Sequence, residues 1–338
     1  MVSAFDAVLM QKALDAAWAY QVLTFPNPAV GAVVSNEQGD ILGVGAHKKA
    51  GTSHAEVLAL KAAYENLTND SRISCIEDAT ALHDFLKEHH NHLFHNLTLH
   101  VTLEPCHHFG KTPPCSALIE ALGIKRVVIG SFDESAKAKG GGAFLKEKGV
   151  EVIFGCLKEA CDLLLTPFTC KESKHPFVFF KLAVSSNGIA TGGIITSEDS
   201  RRMVHCLRDR CDLLVIGGNT VRTDRPILDA RLCDGKAPDI LILSKQNNFD
   251  RTIPLFNVPN RLVSIAQNIE NINNYSMVMI EGGQRFLDAL SEKVEWYLIF
   301  ESPHQKEGEP IVLPDGLQKI FSQRVGEDTM SWYFKHAK

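Results

Sequence analysis

Apolar positions switch between helical and strand periods along the first half of the chain. Leu9, Met10, Ala13, Leu14, Ala17 and Trp18 recur at helical spacing and predict a helix over 6–22. Thr24-Phe25-Pro26-Asn27-Pro28 ends it, because proline removes a backbone donor and restricts the residue before it. Apolar runs at 29–34 and 41–46 read as strands joined by a polar turn at 36–40. A helix is expected from about 53 to 65, with Ser53 placed to cap it. A strand over 97–103, a helix over 115–122 ended by Gly123, and a strand over 126–130 follow. A helical stretch at 144–148 and a strand at 150–154 complete an α/β pattern with short connections. Residues 67–96 interrupt this rhythm. They are polar, carry His83, His89, His90, His92 and His95, and read as an insertion that is partly helical around 76–88. It is either a solvated excursion or a second metal site, and no ligand spacing in it is definite.

A second break comes at 166–176, with two prolines, two lysines and no apolar periodicity. It is expected to link two domains, 1–168 and 175–338. Beyond it the pattern predicts a buried strand over 177–185, a helix over 198–210 and strands at 212–216, 239–243, 261–266 and 277–280. A helix at 286–290 and strands within 295–302 and 330–336 finish the chain. No internal repeat relates the halves.

Composition agrees with two globular domains. The chain has 338 residues, 45% of them hydrophobic and 22% charged, which excludes a disordered chain, a collagen-like repeat and a coiled coil. No apolar run reaches the roughly 18 residues of a membrane span, and the N-terminus lacks a basic, then apolar, leader. A cytoplasmic protein is expected, with no membrane partner. The net charge of −5 resides in residues 1–170, with 14 Lys/Arg against 19 Asp/Glu, while the remainder is balanced at 21 each. Neither half has the basic surplus of a nucleic-acid binder, so no nucleic-acid partner is expected. Nine cysteines, an odd count, argue against a disulfide framework and make each a candidate metal ligand, nucleophile or core residue.

The strongest chemical signal is His54-Ala55-Glu56, then Pro105-Cys106, then Cys115. One imidazole and two thiolates give a three-ligand zinc site whose fourth tetrahedral position stays open, the catalytic arrangement. Expected helix N-termini at the ligand groups favour thiolate. Glu56 lies about 200° round a helix from His54, so it can reach a water held at the site instead of the metal. His-x-Glu with Pro-Cys and a later Cys is the signature of zinc deaminases of cytosine or adenine rings, although eight residues separate the cysteines here and two in the compact form. A purely structural zinc leaves Glu56 unexplained.

The long form, Cys-x-His-x-Gly-x-Thr-Pro-Pro-Cys over 106–115, with Pro26-Asn27-Pro28-x-Val30-Gly31 upstream, resembles the bifunctional riboflavin biosynthesis deaminase/reductase family. The resemblance continues through Lys181-Leu182-Ala183, Ser185-x-x-Gly188, Leu207-Arg208, Thr220-Val221-x-x-Asp224-x-Pro226-x-Leu228-x-x-Arg231 and Glu281-Gly282-Gly283. It implies an N-terminal cytidine-deaminase-like α/β/α domain and a C-terminal α/β domain like dihydrofolate reductase. It implies deamination of a phosphoribosylamino-diaminopyrimidinone, then reduction of its ribosyl group to ribityl with NADPH. By that resemblance His54, Cys106 and Cys115 hold zinc and Glu56 shuttles the proton. Asn27, His47, Lys111 and Asp133 contact the deaminase substrate. Arg208, Leu228, Arg231 and Glu281 contact the reductase substrate. Val184, Ile194, Thr220, Asp224 and Gly283 fall at cofactor positions, with Asp224 also catalytic, and a homo-oligomer is possible.

The chain departs from the family where Asp133-Glu134-Ser135-Ala136 replaces Asp-Pro-Asn-Pro, in the shortened 186–196 segment, and at Arg225 in place of an acid. Other readings are a zinc deaminase of a different nucleoside or nucleic-acid base with an accessory second half, and a non-catalytic zinc-binding protein.

Overall fold

The computed structural model describes residues 1–110, 112–133, 140–270 and 272–336. The chain divides into two compact units, Met1–Thr169 and Cys170–Lys338.

The first unit runs α1 (Ala4–Trp18), β1 (Gly31–Ser35), β2 (Ile41–Ala46), α2 (Ala55–Thr68), α3 (Ala79–His89), β3 (Thr98–Leu103), α4 (Cys115–Ala121), β4 (Arg126–Ser131), α5 (Gly141–Glu147), β5 (Glu151–Phe154) and α6 (Lys158–Glu172). Its sheet has the order β2-β1-β3-β4-β5, antiparallel at β1 and parallel from β3 to β5. β1, β3 and β4 are almost wholly buried, as strands covered on both faces must be. α1 buries Leu9, Met10, Ala13, Leu14 and Ala17, the stripe its periodicity marked, but ends at Trp18, short of the expected 22. Its start is held by a capping box between Ser3 and Asp6. Asp6 also accepts from Arg126 at 2.7 and 2.9 Å and pairs with His100 Nε2 at 2.9 Å, in a nearly dry setting. Gly45 fixes the approach of α2, because a Cβ there would stand 2.3 Å from the Ala55 carbonyl oxygen.

Three expectations are corrected. Ser53 does not cap α2: His54 is the N-cap residue and makes no side-chain cap bond, since its ring is turned toward two cysteines. The 67–96 segment is more than a solvated excursion, because Ile73, Leu82, Leu86 and Phe94 join the core cluster that includes Tyr64 of α2. Residues 166–172 are not linker but the end of α6, which buries Leu164, Leu165 and Pro167.

The second unit contains β6 (Phe177–Val184), α7 (Glu198–Arg210), β7 (Leu213–Gly217), α8 (Gly218–Asp224), β8 (Asp239–Leu243), β9 (Val263–Ala266), β10 (Met277–Glu281), α9 (Gln284–Leu290), β11 (Trp296–Glu301), β12 (Leu317–Val325) and β13 (Asp328–Lys335). Its eight-stranded sheet is ordered β12-β13-β11-β6-β10-β7-β8-β9. All neighbours from β11 to β9 are parallel, and β13 and β12 add an antiparallel edge. α8 and β12 lack an apolar run, so periodicity did not mark them. α8 follows directly from β7, and β12 is registered on β13 through Phe321↔Trp332. All nine cysteines are free. Among the described residues no helix is long and apolar enough to cross a membrane.

Candidate active sites

The carboxyl ends of β3 and β4 and the N-termini of α2 and α4 converge on one site, where open α/β sheets place ligands. His54 Nδ1 lies 3.6 Å from Cys106 Sγ and 3.3 Å from Cys115 Sγ. Among the described residues, these three form the group whose ligating atoms all lie within 4.8 Å of one another. The histidines of 83–95 do not gather in that way, although His90, His92 and His95 stand ring to ring.

The donor set fits zinc. One imidazole and two sulfurs meet in a largely buried pocket, and Cys115 N–H donates to Cys106 Sγ at 3.4 Å, which favours thiolate there. A hydrogen bond from the Cys115 thiol pulls Cys106 down from the usual thiol range, while Cys115, whose proton that is, is pushed up. His54 Nε2 faces Thr112 Oγ1 at 3.4 Å, an outer partner that orients the ring.

Glu56 is buried at the first turn of α2 beside Cys115. Burial, foremost, raises its carboxyl above the ordinary range, and the Cys106 charge adds to this. His47 is held at about 4 by burial first and by the nearby His54, so it is neutral. Its Nδ1 meets the Ser53 carbonyl at 3.1 Å and is therefore the protonated nitrogen, which leaves Nε2 to accept from Asn27 Nδ2 at 3.2 Å. The Asn27 amide oxygen is thereby oriented without a partner of its own among the described residues. Asp133 is buried behind β4, and its N–H donates to Glu104 Oε2 at 3.2 Å. Glu104 also accepts from Gly142 N–H, and sequence reasoning missed this residue. Lys111 and the replaced Glu134-Ser135-Ala136 lie outside the described residues.

In the second unit, Arg208 of α7 grips Glu281 at the end of β10 with bonds of 2.9, 3.1 and 3.2 Å. Arg231 pairs with Asp229, whose carboxylate is also 3.7 Å from His205. The forks of both expected phosphate clamps thus already face carboxylates. Lys181 was overlooked as a site residue: it is Glu281's register partner on β6. Its ammonium pairs with no carboxylate among the described residues, and burial lowers its pKa although Glu281 opposes the change. A lysine inside the apolar run Phe177–Val184 is the signal that could have found it.

Leu228 is buried with φ +57°, and its carbonyl is held by Arg261 at 2.8 Å. Val184 is buried at the end of β6. Thr220 and Asp224 stand on α8, and burial raises the Asp224 carboxyl. Ile194 is 69% exposed, and no described contact draws it to the others. Arg225 points to Asp250 and Thr252, both at 2.7 Å. Gly283 caps α9 with no atom within 4 Å of where a Cβ would stand. The bare backbone of Gly283, just beyond the end of β10, leaves room for an extended dinucleotide, so that strand end fits NADPH.

A cytidine-deaminase-like α/β/α unit with a zinc-type His-Cys-Cys set precedes a parallel-sheet unit of the dihydrofolate-reductase kind. Residues 3–131 match the cytidine and deoxycytidylate deaminase zinc-binding region, and residues 176–316 match the RibD C-terminal domain. The chain belongs to the riboflavin biosynthesis protein RibD family: it is 31% identical to the Corynebacterium ammoniagenes member over 314 residues, covering 87% of this chain and 85% of that one. The Aquifex aeolicus member is 36% identical over 250 residues, 72% of this chain. The match spans 62% of the Aquifex protein's own length, and 54% and 55% of the Actinobacillus pleuropneumoniae and Synechocystis relatives. A Thermotoga maritima diaminohydroxyphosphoribosylaminopyrimidine deaminase/5-amino-6-(5-phosphoribosylamino)uracil reductase superposes with TM-score 0.62 at 26% identity, over 98% of this chain and 99% of that one.

Proposed function

We propose that the chain performs two successive steps on a phosphorylated diaminopyrimidine carrying a ribosylamino group. The first unit removes a ring amino group by hydrolysis, and the second reduces the ribosyl group to ribityl with NADPH. The observation that carries the reading is the buried Glu56 carboxyl beside the clustered His54, Cys106 and Cys115. The full-length likeness to the Thermotoga deaminase/reductase supports the pairing with a reductase.

Zinc held by those three side chains would supply Lewis acidity for attack of water on the ring carbon. Glu56 takes a proton from the attacking water and passes it to the departing amine, which leaves as ammonia. Asn27, oriented by His47, presents its amide oxygen to the ring, and Asp133 is fixed by Glu104. In the second unit NADPH would supply hydride to the opened sugar carbonyl. Lys181, lowered by burial, delivers the accompanying proton, and Arg208 and Glu281 hold each other in place to meet the substrate's polar groups. Arg231, half exposed and paired with Asp229, would meet the 5′-phosphate by exchanging that carboxylate for it.

Mass spectrometry of the products tests both steps. Purified, zinc-loaded protein without NADPH should give a gain of about one mass unit, with ammonia released. Added NADPH should give about two more. A Glu56→Ala protein that retains zinc and still deaminates would overturn the first assignment. Reduction unaffected by Lys181→Met would overturn that part of the second.

A further inference from the structure

Arg222 lies within the Thr220–Asp224 motif at a position to which the family resemblance gives no role. One of its terminal nitrogens donates to Ser244 Oγ at 3.4 Å and to the carbonyls of Gln246 and Asn248 at 3.2 and 3.4 Å. Its guanidinium carbon sits 4.1 Å from the centre of the Phe249 ring, and Phe249 is buried. No carboxylate pairs with it among the described residues, whereas Arg208, Arg225 and Arg231 each have one. Carbonyls and an aromatic face orient a guanidinium without neutralising it. An oriented, unneutralised fork is what a phosphate dianion binds.

Its place in the sheet decides which phosphate. Ser244 is the first residue beyond β8 and donates its N–H to the Ala266 carbonyl. Along β6-β10-β7-β8, the Lys181–Glu281 pair and the end of β8 are separated by two to three strand spacings, about 10–14 Å. An extended dinucleotide with its nicotinamide at Lys181 and Glu281 passes the open backbone at Gly283 and brings its adenosine ribose over the end of β8. We infer that Arg222, seated on Phe249, reads the phosphate on that ribose and sets a preference for NADPH over NADH. The inference rests on the dinucleotide-dependent reduction proposed above. Arg225, the departure from the family in the same motif, is occupied by Asp250.

Titration of the full-length protein with NADPH, NADH and 2′,5′-ADP, followed by calorimetry, tests this without turnover. In Arg222→Leu, NADPH and 2′,5′-ADP should each bind about 10- to 100-fold more weakly while NADH is unchanged, the range expected for losing charge-assisted bonds. Arg222→Lys should recover part of the loss. Equal weakening of NADPH and NADH, at an unchanged unfolding temperature, would make Arg222 a structural residue and overturn the inference. Unchanged NADPH affinity would overturn it by placing the phosphate elsewhere. Wild-type protein that binds both dinucleotides equally refutes the inference alone. Wild-type protein that binds neither refutes the cofactor reading as well.

Discussion

Replacing Asp6 by alanine should unfold the first unit earlier, by an amount that depends on pH in a defined way. The carboxylate is 2% exposed and accepts from Ser3 N–H and Oγ, both at 2.8 Å, as well as from Arg126 and His100. Removing one partner of a buried pair costs about 3–5 kcal/mol, because the other charge is left uncompensated. Arg126 is 22% exposed and can recover some hydration, which pulls that figure to its lower end. Loss of the capping box restores roughly 1 kcal/mol of cost, for about 4 kcal/mol in all. For a unit of this size that is roughly a 10 °C drop in Tm near neutral pH. Burial pushes the Asp6 carboxyl up, but Arg126, Ser3 and His100 outweigh it and hold the group well below the carboxylate range. A depressed folded value means that the stabilisation is complete above the unfolded value of about 3.9, begins to shrink as pH falls below it, and is lost only as pH approaches the folded value. Burial, foremost, keeps His100 below its ordinary range, and its bond to Asp6 opposes that shift. Calorimetric scans of wild type and Asp6→Ala at several pH values between about 8 and 3 measure the effect. A drop under roughly 2 °C near neutral pH, or a gap that does not narrow below about pH 4, would refute the reasoning.

Cys115→Ser should lower zinc content from about one per chain to near none by elemental analysis, because serine is a poor ligand for the metal. Gly45→Ala forces a Cβ against the Ala55 carbonyl, so it should cost about 1–3 kcal/mol in denaturant melts and reduce zinc retention through the displaced N-terminus of α2. Gly283→Val meets open space, so the unfolding temperature should hold while NADPH affinity, followed by fluorescence, falls about tenfold or more.

What the sequence disclosed tracks how locally each feature is determined. His54, Cys106 and Cys115 were legible because few combinations of residue type and spacing give a three-ligand set, and the structure brings them together. Helix α1 and strands β1, β3 and β6 were legible because each buries a regular apolar pattern. α6 was missed, since Pro167, Lys171 and Lys174 read as a break, while Thr166 Oγ bonds back to the Leu163 carbonyl at 2.9 Å inside a helix that continues. Ser53 suits a cap by propensity, yet the ring of His54 turns toward sulfurs fifty and more residues away, a constraint no local window contains. The Lys181–Glu281 pairing depends on β10 inserting between β6 and β7, and the Arg222 seat depends on a loop beyond β8. Chain-distant registers of this kind leave no periodic trace.

Helix α6 has a consequence for handling the protein. It runs to Glu172, past the division between the two units at 169 and 170, and β6 begins at Phe177. Four residues, 173–176, lie between the two elements. A protease must draw an extended run of backbone into its cleft, and exposed, unstructured segments are where nicking concentrates. Mild trypsin treatment should therefore spare Lys171, within the last turn of α6, and any nick at this join should fall at Lys174; fragments intended to fold alone should be divided within 173–176, since a cut at 169 severs the last turn of a helix.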